Sequence, residues 1–124
     1  MMTKRLARLN EQLKREISEL IRRKVRDPRV GPVTITSVET ARDLGSARVY
    51  VSAQNPNDEL TESLAGLEAA ASFLRRELGR SLHVRRVPEL RFQQDHSLDQ
   101  ARRIEEILSD VVYSDLDEDE EHLE

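Results

Sequence analysis

Apolar residues recur at Leu6, Leu9, Leu13, Ile17, Leu20, Ile21 and Val25, with no Gly or Pro before Pro28. Spacing of three or four keeps one side of a helix apolar, so a long amphipathic helix is predicted over residues 3–26. Asp27-Pro28 and Val30-Gly31-Pro32 end it, because the residue before a proline is pushed out of the helical region and glycine with proline favours a turn. The period then changes. Residues 33–38, Val-Thr-Ile-Thr-Ser-Val, are rich in β-branched side chains and alternate until Ser37-Val38 breaks the phase, which allows a bulge or a strand end. Ala47, Val49, Val51 and Ala53 alternate with Arg48, Tyr50, Ser52 and Gln54, giving a strand with one polar face. Turn chemistry at Asp43-Leu44-Gly45-Ser46 joins the two strands as a hairpin.

After a loop at Asn55-Pro56-Asn57-Asp58, Leu60, Leu64, Leu67, Ala71, Leu74 and Leu78 mark a second helix, expected to stop at Gly79. Gly66 and the small side chains of Ala69, Ala70, Ala71 and Ser72 would let it bend or approach another backbone closely. Residues 82–87 fit either strand or loop, and Pro88-Glu89-Leu90-Arg91-Phe92-Gln93 reads as a third strand with proline at its entry. Ser97-Leu98-Asp99-Gln100 has the spacing of a capping box, and Ala101, Ile104, Leu108 and Val111 carry a last helix to Val112. Residues 1–112 are therefore expected to form one α+β domain, a three-stranded sheet with helices packed on one face. Residues 113–124 are expected to be a disordered acidic tail, since a run of acids with almost nothing apolar cannot offset its ordering entropy.

Charge changes this picture. The chain of 124 residues has a formal net charge of −4, but residues 1–29 hold ten Lys and Arg against four acids, and residues 97–124 hold two against eleven. Its first 96 residues are thus basic, and the overall acidity belongs to the end of the chain.

Most reaction chemistry lacks its residues. With no cysteine, thiolate nucleophiles, thiolate metal ligation and disulfides are excluded. No Gly-x-Ser-x-Gly is present, and Gly31, Gly45, Gly66 and Gly79 stand too far apart for a phosphate-binding loop. Asp115, Asp117, Asp119 and Glu121 imitate a calcium loop, but Glu120 stands where that loop needs glycine. Asp95, His96 and Asp99 are read as turn and capping groups rather than as an acid-base set, and His83 as a surface side chain. No catalytic residue, metal or cofactor is expected. Nor does any stretch approach the roughly 18 apolar residues of a membrane helix, so a cytoplasmic protein without membrane contact is expected.

What is left is a binding surface rich in arginine, whose planar fork suits phosphate. Lys4, Arg8, Arg15, Arg22 and Arg26 project opposite the apolar stripe of the first helix, with Arg5, Arg23 and Arg29 nearby. Arg75, Arg76, Arg80, Arg85, Arg86 and Arg91 follow along the chain. The bland alternative for the first helix is a solvated charged face, since Glu11 and Glu19 border the stripe. The arginines gathered elsewhere favour nucleic acid. With two Tyr and two Phe, the chain is poor in stacking platforms, so recognition of structured RNA by backbone and shape is expected ahead of single-strand reading. The competing reading is a protein-interaction module whose long N-terminal helix pairs with a partner helix.

Several segments in order resemble one family. These are Arg26-Asp27-Pro28-Arg29-Val30, residues 33–38, residues 43–52 (Asp-Leu-Gly-Ser-Ala-Arg-Val-Tyr-Val-Ser), residues 73–79 (Phe-Leu-Arg-Arg-Glu-Leu-Gly) and residues 86–92 (Arg-Val-Pro-Glu-Leu-Arg-Phe), followed by Asp95 and Ser97. Over residues 3–112 the chain resembles ribosome-binding factor A, the bacterial assembly factor of the small ribosomal subunit. The resemblance implies a type II KH-like fold in which a helix–kink–helix replaces the Gly-x-x-Gly loop. The kink would fall at Ala70, Ala71 and Ser72, with serine where the family has glycine. It also implies a non-catalytic role: binding free, immature 30S subunits and their 16S rRNA, assisting late rRNA processing, and leaving once maturation is complete. A monomer is expected, with an assembly GTPase as a candidate aid to release.

Overall fold

A computed structural model describes residues 3–54 and 59–122; the expected loop at Asn55-Pro56-Asn57-Asp58 lies outside them. The elements run α1 (Lys4–Lys24), β1 (Val33–Thr40), β2 (Ser46–Ala53), α2 (Thr61–Ser81), β3 (Glu89–Gln94) and α3 (Ser97–His122). Thr3 caps α1, its Oγ1 accepting the Leu6 N–H at 3.1 Å. Arg22, Arg23 and Lys24 fill the last turn, where cations oppose the negative end of the helix dipole. The helix ends at Lys24, so Arg26 and Arg29 belong to the connection that follows it and not to the helical stripe.

The sheet order is β1-β2-β3. β1 and β2 form an antiparallel hairpin, whereas β3 returns parallel to β2 after the chain has crossed over through α2. Ile35 faces Val51 but Ser37 faces Tyr50, so Thr36 is an extra residue in β1. Because side chains alternate with a period of two, this single insertion keeps Ile35 before it and Val38 and Thr40 after it on the same buried face. Thr36 Oγ1 donates to Asp95 Oδ2 at 2.6 Å and lies 3.3 Å from the Tyr50 carbonyl. Asp95 in turn accepts the Ser97 N–H on Oδ1 at 2.8 Å, and its own N–H bonds the Val51 carbonyl at 2.8 Å. Ser97 is thus the first residue of α3 and not its cap; Asp95 supplies the side-chain oxygen that the expected capping box assigned to Ser97.

Leu13 and Ile17 of α1, Val49 and Val51 of β2, Leu67, Leu74 and Leu78 of α2, and Leu90 and Phe92 of β3 form one core. Burying each large aliphatic side chain contributes about 1.5–3 kcal/mol. Asn10 sits among them on α1, its Oδ1 accepting the Thr40 N–H at 2.9 Å and so satisfying the end of β1. On the far side of the sheet Glu39, Arg48, Glu89 and Arg91 are exposed. Both long helices therefore share the one apolar face, as the alternation in the strands predicts.

Two helix boundaries differ from the sequence reading. α2 passes Gly79 and ends at Ser81, and its helical backbone is unbroken through Ala70, Ala71 and Ser72. Alanine is the strongest helix former, and nothing at those positions lacks a donor or forces a break. α3 continues to His122, past the end expected near Val112, and no Gly or Pro after Pro88 interrupts it. In the hairpin turn the left-handed backbone falls on Leu44, at φ 61°, rather than on Gly45. Gly45 instead makes room for the Asp43 carboxylate, whose Oδ1 accepts its N–H at 2.9 Å.

Gly66 is required by packing. A Cβ there would lie 2.9 Å from Val30 Cγ2 and 3.3 Å from the Val30 nitrogen, so its absence lets the α1–β1 connection lie directly on α2. Gly66→Ala, which in an open helix would add up to about 1 kcal/mol of propensity, is expected to destabilise this protein by roughly 1–3 kcal/mol through that clash. Chemical denaturation measures it, and an unmoved or raised midpoint would mean the connection yields freely.

A second expectation concerns acid. Thr36 and Ser97 donate to Asp95 and hold its carboxyl below the ordinary aspartate range. A depressed folded-state pKa contributes stability above the unfolded value, and that contribution is lost as pH falls through the folded one. Between about pH 5 and 2, Asp95→Asn should therefore lose less thermal midpoint than the parent chain. Parallel midpoint curves over that window would show that the charge on Asp95 carries no stability.

Candidate nucleic-acid interface

Every arginine and lysine singled out from the sequence is exposed. The structure sorts them by what else they touch. Glu19 accepts from Arg22 at 2.7 Å and pairs with Arg23 at 3.0 Å, and these guanidinium groups hold its carboxyl below the usual range. Arg29 forks onto Asp27 at 2.6 Å and, with its backbone N–H at 3.0 Å, lowers that carboxyl to about 2. Arg80 shares Glu77 with Lys24, at 3.6 and 3.0 Å. Four expected cations thus have carboxylates of their own. Among the described residues Lys4, Arg5, Arg8, Arg15, Arg26, Arg76, Arg85 and Arg86 have none.

Two clefts organise the unpaired groups. Ser72, Arg75, Arg76, Arg85, Arg86 and Val87 line an open cleft of about 520 Å³ between the second half of α2 and the segment leading to β3. Arg75 Nε donates to the Val87 carbonyl at 3.0 Å, which ties the two walls together. Arg75 and Arg76 come from a helix and Arg85 and Arg86 from a loop ten residues on; the crossover that makes β3 parallel also brings them into one place. Such a concentration of guanidinium groups, in a cleft whose lining holds no acid, suits phosphate oxygens.

The other cleft, about 790 Å³, runs between α1 and the free edge of β1, where Lys14, Arg15 and the paired Arg22, together with Glu19 and Asp27, face Val33, Thr34 and Ile35. Sequence reasoning missed Lys14, which falls between the apolar and cationic stripes and is half-buried. Near the end of α1, Lys24 and Arg26 border a smaller cleft against Ala69, Ala70 and Phe73, so the small side chains of α2 adjoin a cationic connection. Because α1 and α2 lie on the same face of the sheet, their outward sides together make a cationic helical layer. Arg91 is not part of it, since it projects from β3 on the opposite face beside Arg48.

Asp95 and His96 do not assemble a reactive pair. Asp95 is occupied by Thr36 and Ser97, while the His96 Nδ1 stands 3.6 Å from Asp99 on the surface. Among the described residues no group of His, Asp and Glu could hold a metal ion, and no helix is long and apolar enough to cross a membrane.

The apolar face of α1 is in use: Leu13 and Ile17 are fully buried and Leu9, Leu20, Ile21 and Val25 pack against the core. That removes the surface on which the N-terminal helix was to have paired with a partner helix.

Comparison with known proteins agrees with this fold. Ribosome-binding factor A of Pseudomonas putida is 44% identical over 113 residues, covering 90% of this chain and 86% of that protein. The crystal structure of ribosome-binding factor A from Thermus thermophilus superposes with a TM-score of 0.67 at 33% identity, over 74% of this chain and 97% of that one. A Thermus thermophilus homology model fitted into the cryo-EM map of a 30S–RbfA complex gives 0.59 at 32% identity, over 70% of this chain and 91% of that one. The family model for ribosome-binding factor A matches residues 5–108, and the chain belongs to that family.

Proposed function

We propose that this protein is a non-catalytic assembly factor that binds the immature small ribosomal subunit through 16S rRNA and assists late processing and folding of that RNA. It acts as a cytoplasmic monomer. The observation that carries the reading is the helical layer, whose exposed guanidinium groups lack acid partners at Arg8, Arg15, Arg76, Arg85 and Arg86. The Thermus thermophilus relative fitted into a 30S complex supports the same class of partner.

The mechanism is one of differential affinity. Phosphate contacts from a rigid cationic layer favour the rRNA conformation that matches its shape, and they lapse when maturation changes that shape. An assembly GTPase that alters the rRNA or competes for the surface would speed release. No bond is made or broken by the chain.

Reversing charge at Arg76, Arg85 and Arg86 to Glu tests one cleft, and Arg8→Glu with Arg15→Glu tests the outer side of α1. All five side chains are exposed, so circular dichroism should report intact folds. Each set should weaken co-sedimentation with free small subunits, and the slope of log affinity against log salt should flatten by about one for each phosphate no longer neutralised. Folded variants of both sets that bind with the parent's affinity and salt slope would sink the reading.

A further inference from the structure

Among the described residues, all the exposed large hydrophobic side chains lie on α3: Ile104, Ile107, Leu108 and Val111, each 50–57% exposed. At 100° per residue they occupy a band about 100° wide, the width of a helix face that normally meets a core. Among the described residues no other element packs extensively against α3; the sheet, α1 and α2 make most of their contacts with one another. Glu105 and Asp110 lie beyond the two edges of this stripe, Asp99 and Glu106 farther round, and Arg103 stands at one border with Arg102 behind.

Charge decides among the possible occupants. A second copy would bring another segment of two arginines and eleven acids against the first, and like charges at close range oppose such pairing. RNA is repelled for the same reason. The chain's own body exposes no other large hydrophobic side chain among the described residues, and α3 makes no extensive packing against it. We propose that α3 is a docking arm for a basic amphipathic helix of another protein, which lays its apolar residues along Ile104, Ile107, Leu108 and Val111 and its cations against the bordering acids. This is helix-on-helix recognition by anchors at spacings of three and four. The proposal stands apart from the rRNA reading, since it uses a different element and the opposite charge. The stripe spans about two helical turns and less area than a standard interface, so affinity in the micromolar range is expected.

The test uses the full chain and a synthetic helix of roughly 18 residues, long enough to fold on a partner, with leucines at matching spacing and lysines elsewhere. An acidic twin carries glutamate in place of lysine. Fluorescence anisotropy should show the lysine peptide binding, the twin not binding, and Ile104→Gln with Leu108→Gln raising the dissociation constant roughly tenfold or more. Glutamine is a good helix former and both sites are exposed, so the thermal midpoint should not move. Three results would overturn the proposal. Equal binding by the double variant would reduce the effect to bulk charge attraction, and equal binding of the twin would remove the charge selection. Sedimentation of the parent chain as a dimer that the double variant converts to monomer would assign the stripe to a second copy.

Discussion

A sheet with a single apolar face has to bury that face once, and here two long helices do it together. Ala47, Val49 and Val51 lie at the centre of the sheet on β2, and Leu13 and Ile17 from one helix and Leu67, Leu74 and Leu78 from the other close over the same face. Everything on the outer surface follows from that sharing. With both helices on one side, their polar faces become one layer, and charges that are far apart in sequence become neighbours in space. The uncovered face of the sheet carries Glu39 and Glu89 beside Arg48 and Arg91, a balanced surface unlike the helical one.

The bulge at Thr36 makes the shared burial possible. Were Thr36 paired regularly instead of bulged, the second half of β1 would turn Val38 outward and Glu39 into the core. Its hydroxyl also ties the hairpin to Asp95 at the start of α3, so one irregularity in β1 sets both the inward register and the point at which the last helix leaves the body. Gly66 has the matching role on the other side, where the connection carrying Arg29 and Val30 lies against α2. A residue that looks like a weak point in a helix is thus a packing requirement.

The body and α3 are built on different principles. In the body each apolar stripe has an opposing surface; α3 leaves its stripe exposed on a segment rich in acids. The same chain therefore presents a cationic layer and an acidic, partly apolar arm.

Element order, the polar and apolar faces of the strands and the family were all legible in the sequence, because burial imposes periods of two and 3.6 that survive in the residue pattern. The segments that carry the resemblance to ribosome-binding factor A fall within residues 5–108 of the matching family model. Local chemistry also gave the phase break at Ser37-Val38, though not its partner Asp95, which lies 59 residues from Thr36. Helix and turn geometry decided which cations near the N-terminus are paired. Arg22, Arg23 and Arg29 carry the same charge as Arg8 and Arg15, but Glu19 and Asp27 lie within reach of them once the helix and its turn are formed. Only the crossover to a parallel β3 brings Arg85 and Arg86 to Arg75 and Arg76, since a sequence pattern records which side a residue faces and not what the returning chain sets beside it.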